Sequence, residues 1–294
     1  MQPQLTYRPR DPADFAGWAF PTLDVEYDAA SRSYWMSYKA EAPPFYSLQT
    51  LQDMADLRES LRALRASDQA ALYPVDYFVM ASNKPGIFNL GGDLAMFAHA
   101  IQSGDGALLA HYAHACIDVV WGLTDALGGS FVSLAVIEGQ ALGGGLEAAL
   151  AQDFLLADPD ARIGVPEVAF NTFPGMGAMT HLTRRLGAAQ AEEFMLSGRV
   201  YSGVEMHEAG VVDVLAPAGQ AKAYALQWMT EGGADRHARR LALAATRRKL
   251  FPVTWDELMV ITNLWVEVSM SVSRHDIRHM ERLAAAQKRM LLGG

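Results

Sequence analysis

The stretch best suited to chemistry is residues 133–177, SLAVIEGQALGGGLEAALAQDFLLADPDARIGVPEVAFNTFPGMG. It holds two glutamates twenty residues apart, Glu147 and Glu167, the first closely following the triple glycine Gly143-Gly144-Gly145. Three glycines that end a strand and open a helix let backbone approach a ligand with no Cβ in the way. They also leave the first helical N–H groups unpaired and pointing outward, a donor cluster suited to a developing oxyanion. Glu147 falls in the first turn of that helix, beside the donors. Glu167 follows Pro166, whose fixed φ makes a stiff corner for a side chain that has to be aimed. Two carboxylates beside an oxyanion site make a kit for moving protons next to a carbonyl. Each feature taken singly has a structural reading as well. A triple glycine is commonly a tight turn, and a glutamate in a first helical turn commonly serves the helix dipole.

These groups need a frame. Ser133–Ile137 reads as a strand leading to the glycines, and Phe154–Ala157 as another leading to the Pro166-Glu167 corner. Upstream, residues 1–20 look irregular, and residues 22–39 alternate on either side of Asp28–Ser33 as a β-hairpin. Ser47 can cap a helix whose Leu48, Leu51, Met54, Leu57, Leu61 and Leu64 fall at helical spacing. Tyr77–Ala81 is a short apolar strand, and the turn-rich loop SNKPGIFNLGGD follows. Residues 107–127 form an amphipathic helix with Leu108, Tyr112, Cys116, Val120 and Leu123 on one side. After the central stretch, one helix runs through His181–Arg185 to Gly187 and another starts at Ala188. Ser202-Gly-Val-Glu205 is a capping box, Gly210 can end its helix, and Val211–Leu215 is a last strand. From Pro217 the chain reads as helical. Asp235 is expected to cap a basic helix through Lys249, and Thr254-Trp-Asp-Glu257 to form a second capping box. The helix after it carries an apolar stripe of Leu258, Ile261, Trp265, Val268 and Val272. Strands separated by helices predict an α/β chain, and the uneven connections do not suggest a Rossmann sheet. A soft border near residues 215–235 divides residues 1–215 from a helical region, 216–294.

Composition narrows the classes. The 294 residues are 51% hydrophobic and 19% charged, values of a soluble globular protein. No run of eighteen apolar residues appears and the N-terminus lacks an apolar core, so neither a transmembrane helix nor a signal peptide is expected. The single cysteine, Cys116, cannot form an intramolecular disulfide and fits a reducing cytoplasm. Its place on an apolar helix face makes it a small buried hydrophobe. The eight histidines show no paired spacing with cysteine or acid, so no metal site is expected. The net charge of −9 is uneven: residues 236–294 hold 11 Lys/Arg against 5 Asp/Glu, and the rest is strongly acidic. The acidic bulk argues against nucleic-acid binding. The basic tail suits an acidic partner or a phosphate, or else a solvated helix face or an inter-subunit salt-bridge surface.

Together, ALGGGLE, the glutamate of GVPE, FPGMGA and LTRRLG resemble the crotonase (enoyl-CoA hydratase/isomerase) superfamily, strongly over residues 75–215. The resemblance implies a spiral of β-β-α repeats, with a C-terminal all-helical region that covers the acyl site and builds trimers. It implies that Glu147 and Glu167 are catalytic, with no cofactor. It also places the second oxyanion donor just before the Asp of FNLGGD, at Gly92, with Gly144 as its partner; Asp93 then holds the loop or caps the next helix. Leu142, Met176 and Trp265 become the expected lining of the acyl pocket.

Within the superfamily, FNLGGDL in place of a more usual A-G-A-D loop, ALGGGLEAAL, the PEV to FPGMGA stretch and ITNLWVEVSM look most like the diffusible signal factor synthases. That resemblance implies dehydration of a 3-hydroxyacyl thioester on acyl carrier protein to a cis-2-enoyl thioester. Hydrolysis to a free cis-2-unsaturated acid for quorum sensing follows, and a sensor kinase is a further implied partner. An ordinary hydratase or isomerase on CoA thioesters is the alternative, and a non-catalytic binding protein of the same fold a third. No G-x-S-x-G nucleophile motif is present, so hydrolysis would rest on water activated by a glutamate.

Overall fold

The computed structural model describes residues 5–124 and 131–291. The predicted hairpin is β1 (Leu23–Asp28) and β2 (Ser33–Tyr38), antiparallel with Leu23 opposite Tyr38. Helix α1 (Leu48–Arg65) starts where Ser47 accepts the Thr50 N–H, and it buries Leu51, Met54, Leu57, Leu61 and Leu64. Leu48, at its first position, faces solvent instead.

A repeating pattern then begins. β3 (Tyr77–Ser82) is followed by β4 (Ile87–Asn89) and by helices α2 (Leu94–Ser103) and α3 (Gly106–Thr124). β5 (Val132–Ile137) is followed by β6 (Gln140–Leu142) and α4 (Gly144–Leu150). β7 (Phe154–Ala157) is followed by β8 (Arg162–Gly164), a 3-10 turn at Pro166–Phe170, α5 (Ala178–Leu186) and α6 (Ala188–Ser197). Each turn adds one strand to each of two sheets. β3, β5 and β7 run parallel in a six-stranded sheet of order β1-β2-β3-β5-β7-β10, its last strand being Val214–Leu215. β4, β6 and β8 run parallel in a four-stranded sheet closed by β9 (Val200–Ser202). Helix α7 (Gly203–Glu208), with its complete Ser202–Glu205 capping box, leads to β10 (Val214–Leu215). This is the spiral of β-β-α repeats implied by the sequence motifs.

Both faces of the large sheet are covered, as a parallel sheet requires. Phe78, Met80, Ala135 and Ile137 face the main core, while Tyr77, Val79, Leu134 and Val136 face a second one. That second face is covered by Ala221, Ala225 and Met229 of α8 (Ala221–Thr230), with Leu241 of α9 (Gly233–Leu250) at its edge. Helices α10 (Trp255–Ser269) and α11 (Arg274–Leu291) lie against the main core through Leu258, Trp265, Ile277 and Met280.

Some expectations change. The loop after β3 contains a strand, β4, too short to show an alternating pattern. The last strand is confined to Val214–Leu215, and residues 125–127 of the expected long helix lie outside the described residues. α9 begins after Gly232, whose φ is +75°, so Asp235 sits in the first turn rather than at the cap. Thr254 does accept the Glu257 N–H, but the Glu257 carboxylate turns to Arg184 and Thr180, so the second capping box is only half made. On α10 the buried positions are Leu258, Thr262, Trp265 and Ser269, not the full apolar stripe.

Candidate active site

The two sheets bring the glycine loops together. The triple glycine joins β6 to α4, and FNLGGD joins β4 to α2, where Asp93 accepts the Met96 N–H as the N-cap. A Cβ on Gly145 would lie 2.2 Å from the Asn89 carbonyl oxygen, so only glycine lets the start of α4 approach the end of β4 this closely. Gly144 and Gly92 are neighbours: a Cβ on Gly144 would lie 3.6 Å from Gly92 N. Gly91 donates to Asn89 Oδ1 at 2.8 Å, and its carbonyl accepts the Tyr46 N–H at 2.8 Å. In a trans peptide the C=O and N–H point in opposite directions. Fixing the Gly91 carbonyl on Tyr46 therefore turns the Gly92 N–H the other way. Neither the Gly92 nor the Gly144 N–H has an acceptor among the described residues.

The glutamates occupy contrasting environments. Glu147, in the first turn of α4, is 1% exposed, and its Oε1 accepts the N–H groups of Met176 at 2.8 Å and Ala178 at 3.0 Å. Burial pushes its carboxyl up to about 7, while those two N–H donors hold it down. Glu167, on the 3-10 turn, is partly exposed as a residue, yet its Oε2 is sealed from solvent without a hydrogen-bond partner. Its carboxyl is pushed up to about 8, by burial first and by the Glu147 charge second. Glu167 Oε1 packs over Gly143, where φ is +52° and a Cβ would lie 2.5 Å from that oxygen. Ionising Glu147 opposes ionising Glu167, so the two carboxyls disfavour being charged together.

A cavity of about 230 Å³ joins these groups, and every residue named from the sequence lines it: Gly92, Gly144, Glu147, Glu167, Leu142, Met176 and Trp265. Trp265 is 3% exposed and packs edge-on against Phe97, with ring centroids 5.1 Å apart. Phe97 and Phe170, and Leu283, Ala286, Gln287 and Met290 of α11, also line the cavity, and of these only Phe170 falls within the motifs that mark the site in the sequence. The α11 residues recur at i, i+3, i+4 and i+7, a one-face signal that was available in the sequence. The walls are apolar apart from the glutamates, the backbone of the glycine loops, Gln140 and Gln287. Such a site can stabilise negative charge on a carbonyl oxygen and move protons beside it in a largely apolar pocket. Among the described residues, no group of three or more His, Cys, Asp and Glu side chains is placed to hold a metal ion. No helix among them is long and apolar enough to cross a membrane.

Comparison with known proteins bears on the family and the fold. The chain is 32% identical over 190 residues to the glyoxysomal fatty acid beta-oxidation multifunctional protein MFP-a of Cucumis sativus, covering 64% of this chain but 25% of that one. It is 39% identical over 140 residues to cyclohexa-1,5-dienecarbonyl-CoA hydratase of Thauera aromatica, covering 47% of this chain and 53% of that one. The chain thus spans between a quarter and about half of the lengths of these relatives. A solved structure of Pseudomonas aeruginosa DspI superposes with a TM-score of 0.61 at 25% identity, covering 84% of this chain and 91% of that one. The family model described as enoyl-CoA hydratase/isomerase matches residues 48–255, the span that holds both glycine loops and both glutamates, and the chain belongs to that family.

Proposed function

We propose that this protein is a diffusible signal factor synthase. It dehydrates a 3-hydroxyacyl thioester on acyl carrier protein and releases a cis-2-unsaturated fatty acid. The carrying observation is that two carboxyls and two glycine loops with free N–H groups line one apolar cavity. The thioester oxygen sits on the Gly92 and Gly144 N–H groups, which take up the enolate charge as the C2 proton leaves. Glu167 as carboxylate accepts that proton. Glu147 as acid protonates the C3 oxygen, which departs as water while the C2–C3 double bond forms. Hydrolysis uses the same donors. A carboxylate deprotonates water, its oxygen bonds to the thioester carbon, and the C–S bond breaks with the proton passing to the thiol. Leu142, Met176 and Trp265 contact the acyl chain. The choice of carrier protein and free acid over CoA chemistry rests on the motif resemblance, FNLGGDL and ITNLWVEVSM above all.

One observation favours a second reading, an ordinary enoyl-CoA hydratase. The backbone donors on Glu147 and the unpartnered oxygen of Glu167 put a shared proton on Glu167 at rest. That is the state that adds water to an enoyl thioester, with Glu147 activating water and Glu167 delivering the C2 proton. Moving one proton between the pair gives the eliminating state.

Oligomerisation, as a trimer or larger, is part of the proposal. Exposed Leu196 and Leu264 beside an apolar groove supply a surface for it.

The test is mass spectrometry after incubation with 3-hydroxydodecanoyl-acyl carrier protein, beside the CoA thioester. A free 2-enoic acid from the carrier-protein substrate supports the synthase. Reversible hydration of the CoA ester without acid release supports the hydratase, and no turnover of either leaves a binding protein.

A further inference from the structure

The Gly92 N–H belongs to the residue type with the least intrinsic preference for any one backbone conformation. A glycine donor points in a fixed direction only if the peptides on both sides of it are held from outside. The peptide before Gly92 is held by the Tyr46 N–H on the Gly91 carbonyl at 2.8 Å. The peptide after it is held at both ends. The Asp93 N–H donates to the Tyr112 hydroxyl at 3.2 Å, and that hydroxyl in turn donates to the Tyr46 carbonyl at 2.5 Å. The Gly92 carbonyl accepts Nε2 of Gln287 at 3.1 Å. Tyr46 and Tyr112 are buried in the main core, whereas Gln287 arrives from α11, 195 positions along the chain from Gly92. The Gln287 residue is itself 6% exposed and lines the cavity.

The same helix reaches the other half of the site. Near its start, Asp276 accepts the Asn171 side-chain amide at 3.4 Å. Asn171 is the left-handed residue, φ +58°, that ends the 3-10 turn carrying Glu167. One helix therefore spans from the Glu167 corner to the Gly92 loop.

We infer that Gln287 is a positioning residue: docking of α11 places its amide on the Gly92 carbonyl and so completes the orientation of the Gly92 oxyanion donor. Covering the acyl site and assembling the oxyanion hole are then one event. A substrate that lets α11 seat over it is also the substrate whose carbonyl is polarised. This inference rests on the oxyanion role proposed for Gly92.

The test compares the full-length wild type with Gln287→Met, which keeps length and apolar bulk but cannot donate, and with Gln287→Ala. Turnover is followed with 3-hydroxydodecanoyl thioesters of acyl carrier protein and of CoA. Carbonyl polarisation is read as the infrared stretch of bound, carbonyl-labelled dodecanoyl-CoA, which has no C3 hydroxyl to eliminate. The expectation for Gln287→Met is a ten- to hundredfold lower kcat with KM within about threefold, and loss of part of the wild-type shift of the stretch to lower frequency. An unchanged kcat and an unchanged stretch in folded Gln287→Met overturn the inference. So does a fall in melting temperature with an unchanged stretch, because that is packing alone. A wild type that neither turns over nor shifts the carbonyl overturns the oxyanion reading itself.

Discussion

Replacing Glu167 by glutamine should make the protein more stable and less active, with the stability gain growing as pH rises from about 4.5 and complete above about 8. The Glu167 carboxyl rises from an ordinary 4.5 to about 8 in the fold, because burial and the Glu147 charge oppose ionisation. A group whose folded value is raised contributes stability that is fully present below its unfolded value. That stability is lost as pH rises through the folded one. At about 1.4 kcal/mol per unit the whole shift is worth roughly 4–5 kcal/mol for an isolated group. Part of it is repulsion shared with Glu147, so on the order of 3 kcal/mol belongs to removing Glu167 alone. For a chain of this size that is roughly 5–10 °C in melting temperature. Thermal melts of wild type and Glu167→Gln at pH 5 and pH 9 should therefore nearly coincide at the lower pH and separate at the higher, the variant melting later. Turnover should fall by about two to four orders of magnitude at both pH values. A melting difference that is the same at pH 5 and pH 9, or turnover within threefold of wild type, refutes the reasoning.

Glu147→Gln should keep its fold, since the amide oxygen can still accept the Met176 and Ala178 N–H groups, and lose about two to four orders of magnitude in kcat. Circular dichroism beside the kinetics checks both halves. Gly143→Ala puts a methyl group 2.5 Å from Glu167 Oε1 at a positive φ. It should cost about 1–3 kcal/mol in urea unfolding, and it should lower kcat more than tenfold by displacing the carboxyl. Trp265→Ala removes a ring packed on Phe97 and should destabilise by about 3–5 kcal/mol. If Trp265 lines the acyl site, the products shift to longer chains, which chromatography of the released acids or enoyl thioesters reads directly.

Much of this molecule follows from local rules that the sequence carries on its own. The Ser47, Asp93 and Ser202 caps and the hairpin of residues 22–39 depend on nearby positions, and the strands at Tyr77, Val132 and Phe154 show as apolar runs in the sequence. The strand–GGG–helix and Pro166-Glu167 signals are equally local. Where the structure departs from local rules, the cause is a non-local contact. The Glu257 carboxylate left its own helix cap for Arg184, 73 positions away, because a two-bond pair with a guanidinium outweighs a single bond from a backbone N–H. β4, β6 and β8 have only three residues each, too few to show a period. They exist as strands because they pair with one another.

The identity of the site residues was thus fixed by the chain: glycines where backbone must approach backbone, and glutamates beside them. Their meeting in one cavity was decided by tertiary structure. Only the spiral sets β4 beside β6, so that Gly92 meets Gly144. Burial by the assembled core raises both carboxyls, a property that neither glutamate has in an extended chain. Only the docking of α11 brings Gln287 to the Gly92 carbonyl, because a hydrogen bond across 195 positions has no local signature to read.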